Sequence, residues 1–451
     1  MRSSVMRSSV QHIHKALLLG ACSTFFLAHS AFAATADLEK KAFNYASSLV
    51  KGQKPGGKVS VFAVWSGVEQ ENFLRAIKPF TDATGIQVEY EATRDINAVL
   101  TTRVQGGNAP DIAVVPSISL LQEWAEGGKL TDLDGIVGTS VLEKNFGPGF
   151  LDLGGYKGKT YGLFINADVK GLVWYNTKTY KGPKNPKNWD ELAAWASKTA
   201  AAGTTPWCVG VESGAASGWA GTDWVENILL RQSGPRVYDQ WYQGKLPWTS
   251  NEVKSAFQAF GKVATDPKMV YGGPTTVLTT NFSDAATPMF GNPPKCFLHH
   301  QASFIPSFLE KNTPGLQAIT GYNFFGFPNI NPQYAGTIEI NGDMVGLFKK
   351  TPQSALLMKY LASTEAQSIW PSLGGKLSPN KRVALSVLPN KMAAGFQKTL
   401  NGARSVRFDA SDLMPDRINK AFWKAILDYV QNPSRLDAIL QELEKTRQEV
   451  Y

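Results

Sequence analysis

Trp219 stands in a run of small residues, SGAASGWAGTDWVENILL (Ser213–Leu230), with Thr222 and Asp223 close behind it. An indole offers a flat apolar face with one polar handle. A hydroxyl both donates and accepts, whereas an ionised carboxylate only accepts. Together they suit a ring with C–H faces and hydroxyl edges, which is the surface of a saccharide. If Thr222 caps a helix running on through Leu230, Asp223 lies in its first turn, where a carboxylate complements the dipole. Trp224, Ile228 and Leu229 then turn inward as core. Trp219 is left outside the helix in a Gly/Ala loop, where it reads as a stacking platform, with packing as the alternative.

Catalytic chemistry has less support. Glycoside cleavage needs two carboxylates about 5–10 Å apart across one bond, and Asp223 and Glu226 share one predicted helix. No G-x-S-x-G nucleophile elbow occurs. His299 and His300 are adjacent, with no further ligands nearby in sequence, so no metal is expected. Neither G-x-G-x-x-G nor G-x-x-x-x-G-K-[ST] falls at a strand-to-helix turn, which excludes nucleotide phosphates as cargo and implies no cofactor.

The elements that must carry these groups alternate strand and helix. KVSVFAVW (Lys58–Trp65) is a nearly continuous apolar run, as in a strand covered on both faces. Ser66 and Glu69 read as a capping box, and Phe73, Ile77 and Phe80 share one face of the helix that follows. IQVEY, a loop with Thr93-Arg94-Asp95, a helix over Asn97–Gln105 and the strand PDIAVVP come next. Ser119 and Gln122 form a second predicted capping box, and Gly127-Gly128 stops that helix. Three β–α units in succession imply a parallel sheet with right-handed crossovers. Ligands of such sheets lie beyond the carboxyl ends of the strands, which nominates Trp65-Ser66, Arg94-Asp95 and Pro116-Ser117. Arg94 and Asp95 are either a surface ion pair or a carboxylate oriented by its neighbour.

Further on, DVKGLVWYN (Asp168–Asn176) and TTPWCVGVE read as strands. The YDQW segment, Val253–Ala264 and Ala421–Val450 read as helices, and GTIEINGDMVGLFKK (Gly336–Lys350) reads as a strand pair. Asp343 sits in the turn chemistry of Asn-Gly-Asp.

At 451 residues the chain suits two domains or lobes, and 43% hydrophobic with 18% charged residues is a globular composition. Arg2, Arg7 and Lys15 precede an apolar run, Ala16–Ala28, and Ala31-Phe32-Ala33 is an A-x-A cleavage site, so residues 1–33 read as a cleaved signal peptide. Leu19-Gly20-Ala21-Cys22 also resembles a lipobox that would anchor the chain through Cys22, although Lys15 stands close to Cys22 for a full h-region. The formal charge is +9 from 46 Lys and Arg against 37 Asp and Glu; losing Arg2, Arg7 and Lys15 leaves 43 against 37, or +6. No basic cluster is dense enough for a nucleic-acid face. Cys208 and Cys296 then remain, and an oxidising compartment favours one disulfide over two free thiols.

VFAVWSGVEQENFLRAIKPF, NAPDIAVVPSISLLQEWAEGGKLTDL, VWYNTKTY, WCVGVESGAASGWAGTDWVENILLR, PPKCFLHHQASFI and GGKLSPN span the chain after its leader. They resemble the extracellular solute-binding proteins of bacterial ABC importers, the maltose-binding-protein-like family, and in particular its α-glucoside-binding branch. The resemblance implies an α/β, two-lobed periplasmic-binding-protein fold of type II, with hinged lobes and a ligand cleft between them. Crossings near Asp168, Gly336 and Asn401 would divide it into N-terminal-lobe parts 34–167 and 336–400, a C-terminal-lobe part 168–335, and C-terminal-lobe helices 401–451.

The same resemblance implies an α-glucoside in the cleft: trehalose, sucrose, maltose, palatinose or glucosylglycerol. A polyol, another compatible solute or a longer oligosaccharide is the alternative, and a surface polysaccharide-binding protein or a glycosidase a remote one. Expected ligand contacts are Trp65, Ser66, Glu69, Arg94, Asp95 and Ser117 from the first part, then Trp219, Thr222 and Asp223. Gln301, Phe304, Asp343, Gly375 and Lys376 are carried mainly by the resemblance. The implied partners are the sugar and the membrane permease subunits, with the protein a periplasmic monomer.

Overall fold

The computed structural model describes residues 34–451, so the export signal and Cys22 lie outside the described residues. The β–α order appears as read: β1 (Lys58–Ala63), β2 (Gln87–Ala92) and β3 (Ile112–Val115) alternate with helices Val68–Thr84, Ile96–Gln105 and Ile118–Glu126. β1 pairs in parallel with both β2 and β3. The continuous apolar run of β1 has a direct cause. Val59, Val61 and Ala63 enter one core with Phe73, Ile77 and Phe80, while Phe62 enters a second core on the opposite face with Leu100 and Val115. Successive side chains point to opposite faces, and both faces are covered.

A short ribbon, β4 (Gly155–Tyr156) with β5 (Lys159–Thr160), precedes β6 (Gly162–Phe164). The chain then runs through β7 (Asp168–Val169), β8 (Leu172–Asn176), β9 (Trp207–Cys208), β10 (Leu298–Gln301) and β11 (Tyr322–Gly326), and on through β12 (Thr337–Asn341), β13 (Met344–Leu347) and β14 (Ser405–Phe408). Among the described residues these make a five-stranded sheet β2-β1-β3-β13-β6, a four-stranded sheet β11-β8-β10-β9 and a three-stranded sheet β14-β12-β7. The four-stranded sheet lies over a third core, rich in tryptophan: Trp174, Trp207, Trp224, Trp241 and Trp248 are all buried there. The Cys208–Cys296 disulfide closes a separation of 88 residues in that half, contributing about 4.6 kcal/mol in the chain-entropy account.

Several local expectations are corrected. Gly336–Lys350 does form two strands, but they do not pair with each other: β12 pairs with β14 and β7, whereas β13 pairs with β3 and β6 in the five-stranded sheet. Asn341-Gly342-Asp343 therefore carries the chain from one sheet to another. TTPWCVGVE contributes only the two-residue β9. The helical tail is two helices, Asp416–Gln431 and Leu436–Val450, parted around Pro433, because proline cannot continue the hydrogen-bond ladder.

Neither predicted capping box forms. The helix after β1 starts at Val68 behind Gly67, which has no side chain to cap with, and Glu69 is drawn into a buried ion pair instead. After β3 the cap is Ser117, accepting from Leu120 N, while Ser119 bonds the Met414 carbonyl at 2.5 Å. The loop containing Trp219 is likewise shorter than expected. Trp219 is the first residue of the helix Trp219–Ser233, Gly218 is its cap, and Thr222 donates its hydroxyl to the Trp219 carbonyl inside the first turn. Gly218 has φ of 110° and a Cβ there would stand 2.3 Å from the Trp423 carbonyl oxygen, so only glycine lets these segments meet.

Candidate functional site

The carboxyl ends of β1, β2 and β3 open onto a cleft that encloses about 940 Å³, open solvent at its mouth included. Val64 and Trp65 follow β1, Arg94 and Asp95 follow β2, and Pro116 follows β3, as strand order requires. The facing wall comes from Ser213 to Trp219, Phe282 and Phe304, and from the segment after β14 with Trp423.

One charge network lies on the side of the five-stranded sheet. Lys376 Nζ is 2.7 Å from Asp168, 3.6 Å from Glu69 and 3.8 Å from Asp343. Arg94 reaches Glu69 at 2.7 Å. Asp343 Oδ2 accepts from Trp65 Nε1 at 3.1 Å and from Asn166 Nδ2 at 2.9 Å. Burial pulls the Lys376 ammonium down, but Asp168, Glu69 and Asp343 outweigh it and hold the group charged. Burial alone would raise Glu69, yet Arg94 and Lys376 bring it below its ordinary value. Asp168 is pushed up to about 6 by burial against the pull of Lys376.

The second network centres on Lys170, 2% exposed. Its ammonium lies 2.7 Å from Asp223 and also pairs with Asp409. Burial pushes Asp223 up to about 7 despite Lys170. Behind them Glu226, Glu339 and Asp409 bring carboxylate oxygens within 4.8 Å of one another. Burial and repulsion from neighbouring carboxylates raise Glu226 and Glu339 well above their ordinary values, with Lys170 opposing.

Aromatic rings link the two networks. The half-buried Trp219 meets Phe282 edge to face at 4.9 Å and Phe304 at 6.2 Å. Each ring carries a cation: Lys170 at 5.7 Å from Trp219, Arg94 at 5.1 Å from Phe282, Lys376 at 5.0 Å from Phe304, a favourable arrangement for the ring quadrupoles. Trp65, 1% exposed, packs on Phe73 and Trp370 and turns its indole nitrogen to Asp343. Trp224 is core, as read, with His300 4.4 Å from its ring.

The structure thus brings Trp65, Glu69, Arg94, Asp95, Trp219, Asp223, Phe304, Asp343 and Lys376 to one cleft. Five nominated residues do not line it. Ser66 is exposed, Ser117 is a helix cap, and Thr222 is buried inside its own helix. Gln301 bonds its neighbour Ala302 N at 2.8 Å. Gly375 sits against the Phe304 carbonyl at the edge of a second, smaller cavity. Arg94 and Asp95 do not pair with each other: Asp95 accepts from Ala215 N at 2.8 Å, across the cleft.

Asn97, Lys170, Asn341, Asp409, Asp412 and Trp423 also line the site, and sequence reasoning did not nominate them. Two of these left a signal. Lys170 is a lone cation in the apolar run DVKGLVWYN, and Trp423 lies off the apolar stripe of Phe422, Ile426 and Val430. Asn97, Asn341 and Trp423 each keep a buried polar atom without a hydrogen-bond partner among the described residues.

Two α/β halves with a cleft at the strand ends, walled from both, define a binding protein that holds its ligand between lobes. A sequence profile described as bacterial extracellular solute-binding protein matches residues 66–368, and the chain belongs to that family. It is 37% identical over 384 residues to the osmoprotective compounds-binding protein GgtB of Synechocystis sp., covering 84% of this chain and 90% of that one. It is 34% identical over 419 residues to the alpha-glucosides-binding periplasmic protein AglE of Rhizobium meliloti, covering 88% and 90%. The fold matches the bacterial solute receptor AcbH with a TM-score of 0.76 at 19% identity, over 87% of this chain and 99% of that one. The maltose/maltodextrin-binding domain MalE of Bdellovibrio bacteriovorus, bound to maltotriose, matches at 0.67 and 16% identity, over 87% and 99%. The family and these relatives are binding proteins.

Proposed function

We propose that the cleft binds a neutral α-glucoside, either a disaccharide or a glycoside of glycerol, and that the loaded protein delivers it to the permease of an ABC importer. The observation that carries this reading is the gathering of Trp219, Phe282 and Phe304 with Asp95, Asp223 and Asp343 around one cleft. Ring faces stack on a sugar's C–H faces, and carboxylates accept its hydroxyl protons. Relatives that bind osmoprotective compounds and alpha-glucosides support the same class.

Parts 34–167 and 336–400 form one lobe in this reading, and parts 168–335 and 401–451 the other. Side-chain bonds between the two lobes include Asp95 to Ala215 N at 2.8 Å, Asn97 to Asp416 at 3.3 Å, Ser119 to the Met414 carbonyl at 2.5 Å, Lys376 to Asp168 at 2.7 Å and Asn227 to Glu339 at 2.7 Å. A ligand touching both lobes adds contacts only when they are together, so it shifts the population toward the closed form. The chain is exported by cleavage after residue 33, works as a periplasmic monomer, and performs no hydrolysis.

A thermal-shift screen with trehalose, sucrose, maltose, palatinose and glucosylglycerol tests the proposal. At a hundredfold excess over Kd a ligand adds about 2.7 kcal/mol of stability, so at least one glycoside should raise Tm by several degrees. The same glycoside should be recovered intact. No shift with any of them, or turnover of a nitrophenyl α-glucoside, would overturn it.

A further inference from the structure

The cations that line the cleft are all engaged within the protein. Arg94 is tied to Glu69, Lys170 to Asp223 and Asp409, and Lys376 to Asp168. Lys420 is tied to Asp416 at 2.5 Å. Asp412 is the opposite case. It lies in the short helical turn Ala410–Leu413 that follows β14, and it is 8% exposed. Its backbone N–H is held by Asp409 at 3.2 Å, but its carboxylate has no hydrogen-bond or ion-pair partner among the described residues.

We infer that Asp412 is a specificity-determining residue that makes the cleft select uncharged glycosides and reject the same glycosides carrying a carboxylate or phosphate. This rests on the cleft being the glycoside site. An unpaired carboxylate can accept several hydroxyl protons from a neutral ligand, and no lining cation is available to an anionic one. Burial, then Asp409, Asp343 and Asp223, push the Asp412 carboxyl well above its ordinary value, with Lys170 opposing. An anion placed beside Asp412 meets those neighbouring carboxylates and the Asp412 carboxylate itself, and the Asp412 share of the repulsion is what D412N removes.

Titration calorimetry with matched pairs tests this: glucosylglycerol against glucosylglycerate, trehalose against trehalose 6-phosphate, sucrose against sucrose 6-phosphate. For the pair whose neutral member binds most tightly, the wild-type protein should bind the anionic member at least about tenfold more weakly, given the Coulomb repulsion at such separations. D412N should narrow that gap by at least about threefold, with Asp412→Ser as the second variant. An anionic member bound as tightly as its neutral partner by the wild-type protein overturns the inference, as does a gap unchanged in a folded variant. Absence of binding by every neutral member overturns the functional reading beneath it.

Discussion

Lys170→Met should lower the unfolding free energy of the empty protein by about 3–5 kcal/mol, the cost of breaking a buried pair by removing one partner. Methionine keeps the length and apolar stem but leaves Asp223 and Asp409 facing each other without the ammonium that both contact. Both are almost fully buried, with Glu226 and Glu339 close by and raised well above their ordinary values. Protonation of one aspartate relieves part of the repulsion, so the loss should shrink on acidification. Urea unfolding at neutral and mildly acidic pH measures both. A loss under about 1 kcal/mol would mean the network is held by its hydrogen bonds rather than by Lys170.

Trp219→Ala should weaken glycoside binding by about 2 kcal/mol, roughly thirtyfold, the scale of an interfacial aromatic hot spot. Its stability cost should stay below about 2 kcal/mol, less than for a buried tryptophan, because the ring is half-buried and alanine suits the helix it begins. Calorimetry gives the first quantity and urea unfolding the second. A stability loss above about 3 kcal/mol with unchanged affinity would assign the ring to the core that holds Phe282 and Phe304.

The parallel β–α units were legible because their signal is local. Val59, Val61 and Phe62 are apolar without alternation because both sheet faces are covered, and the sequence of β1 says so directly. Strand ends then nominated Trp65, Arg94 and Asp95 by topology alone, and all three reach the cleft. Helix starts were read less well. Ser66 and Glu69 have the spacing of a capping box, but Glu69 meets Arg94 from a loop and Lys376 from hundreds of residues away, and that pairing takes precedence. Ser119 was misread for the same reason, since its hydroxyl is taken by Met414. Asp412 and Asp409 carried no pattern at all. They join the cleft only because β14 pairs with β12, a contact between residues far apart in the chain.

Small-angle scattering with and without saturating glycoside tests the clamp most directly. Two lobes drawn together around a neutral sugar should give a smaller radius of gyration with ligand, reversed when the ligand is dialysed away. An unchanged radius at proven saturation would contradict a site shared between the lobes.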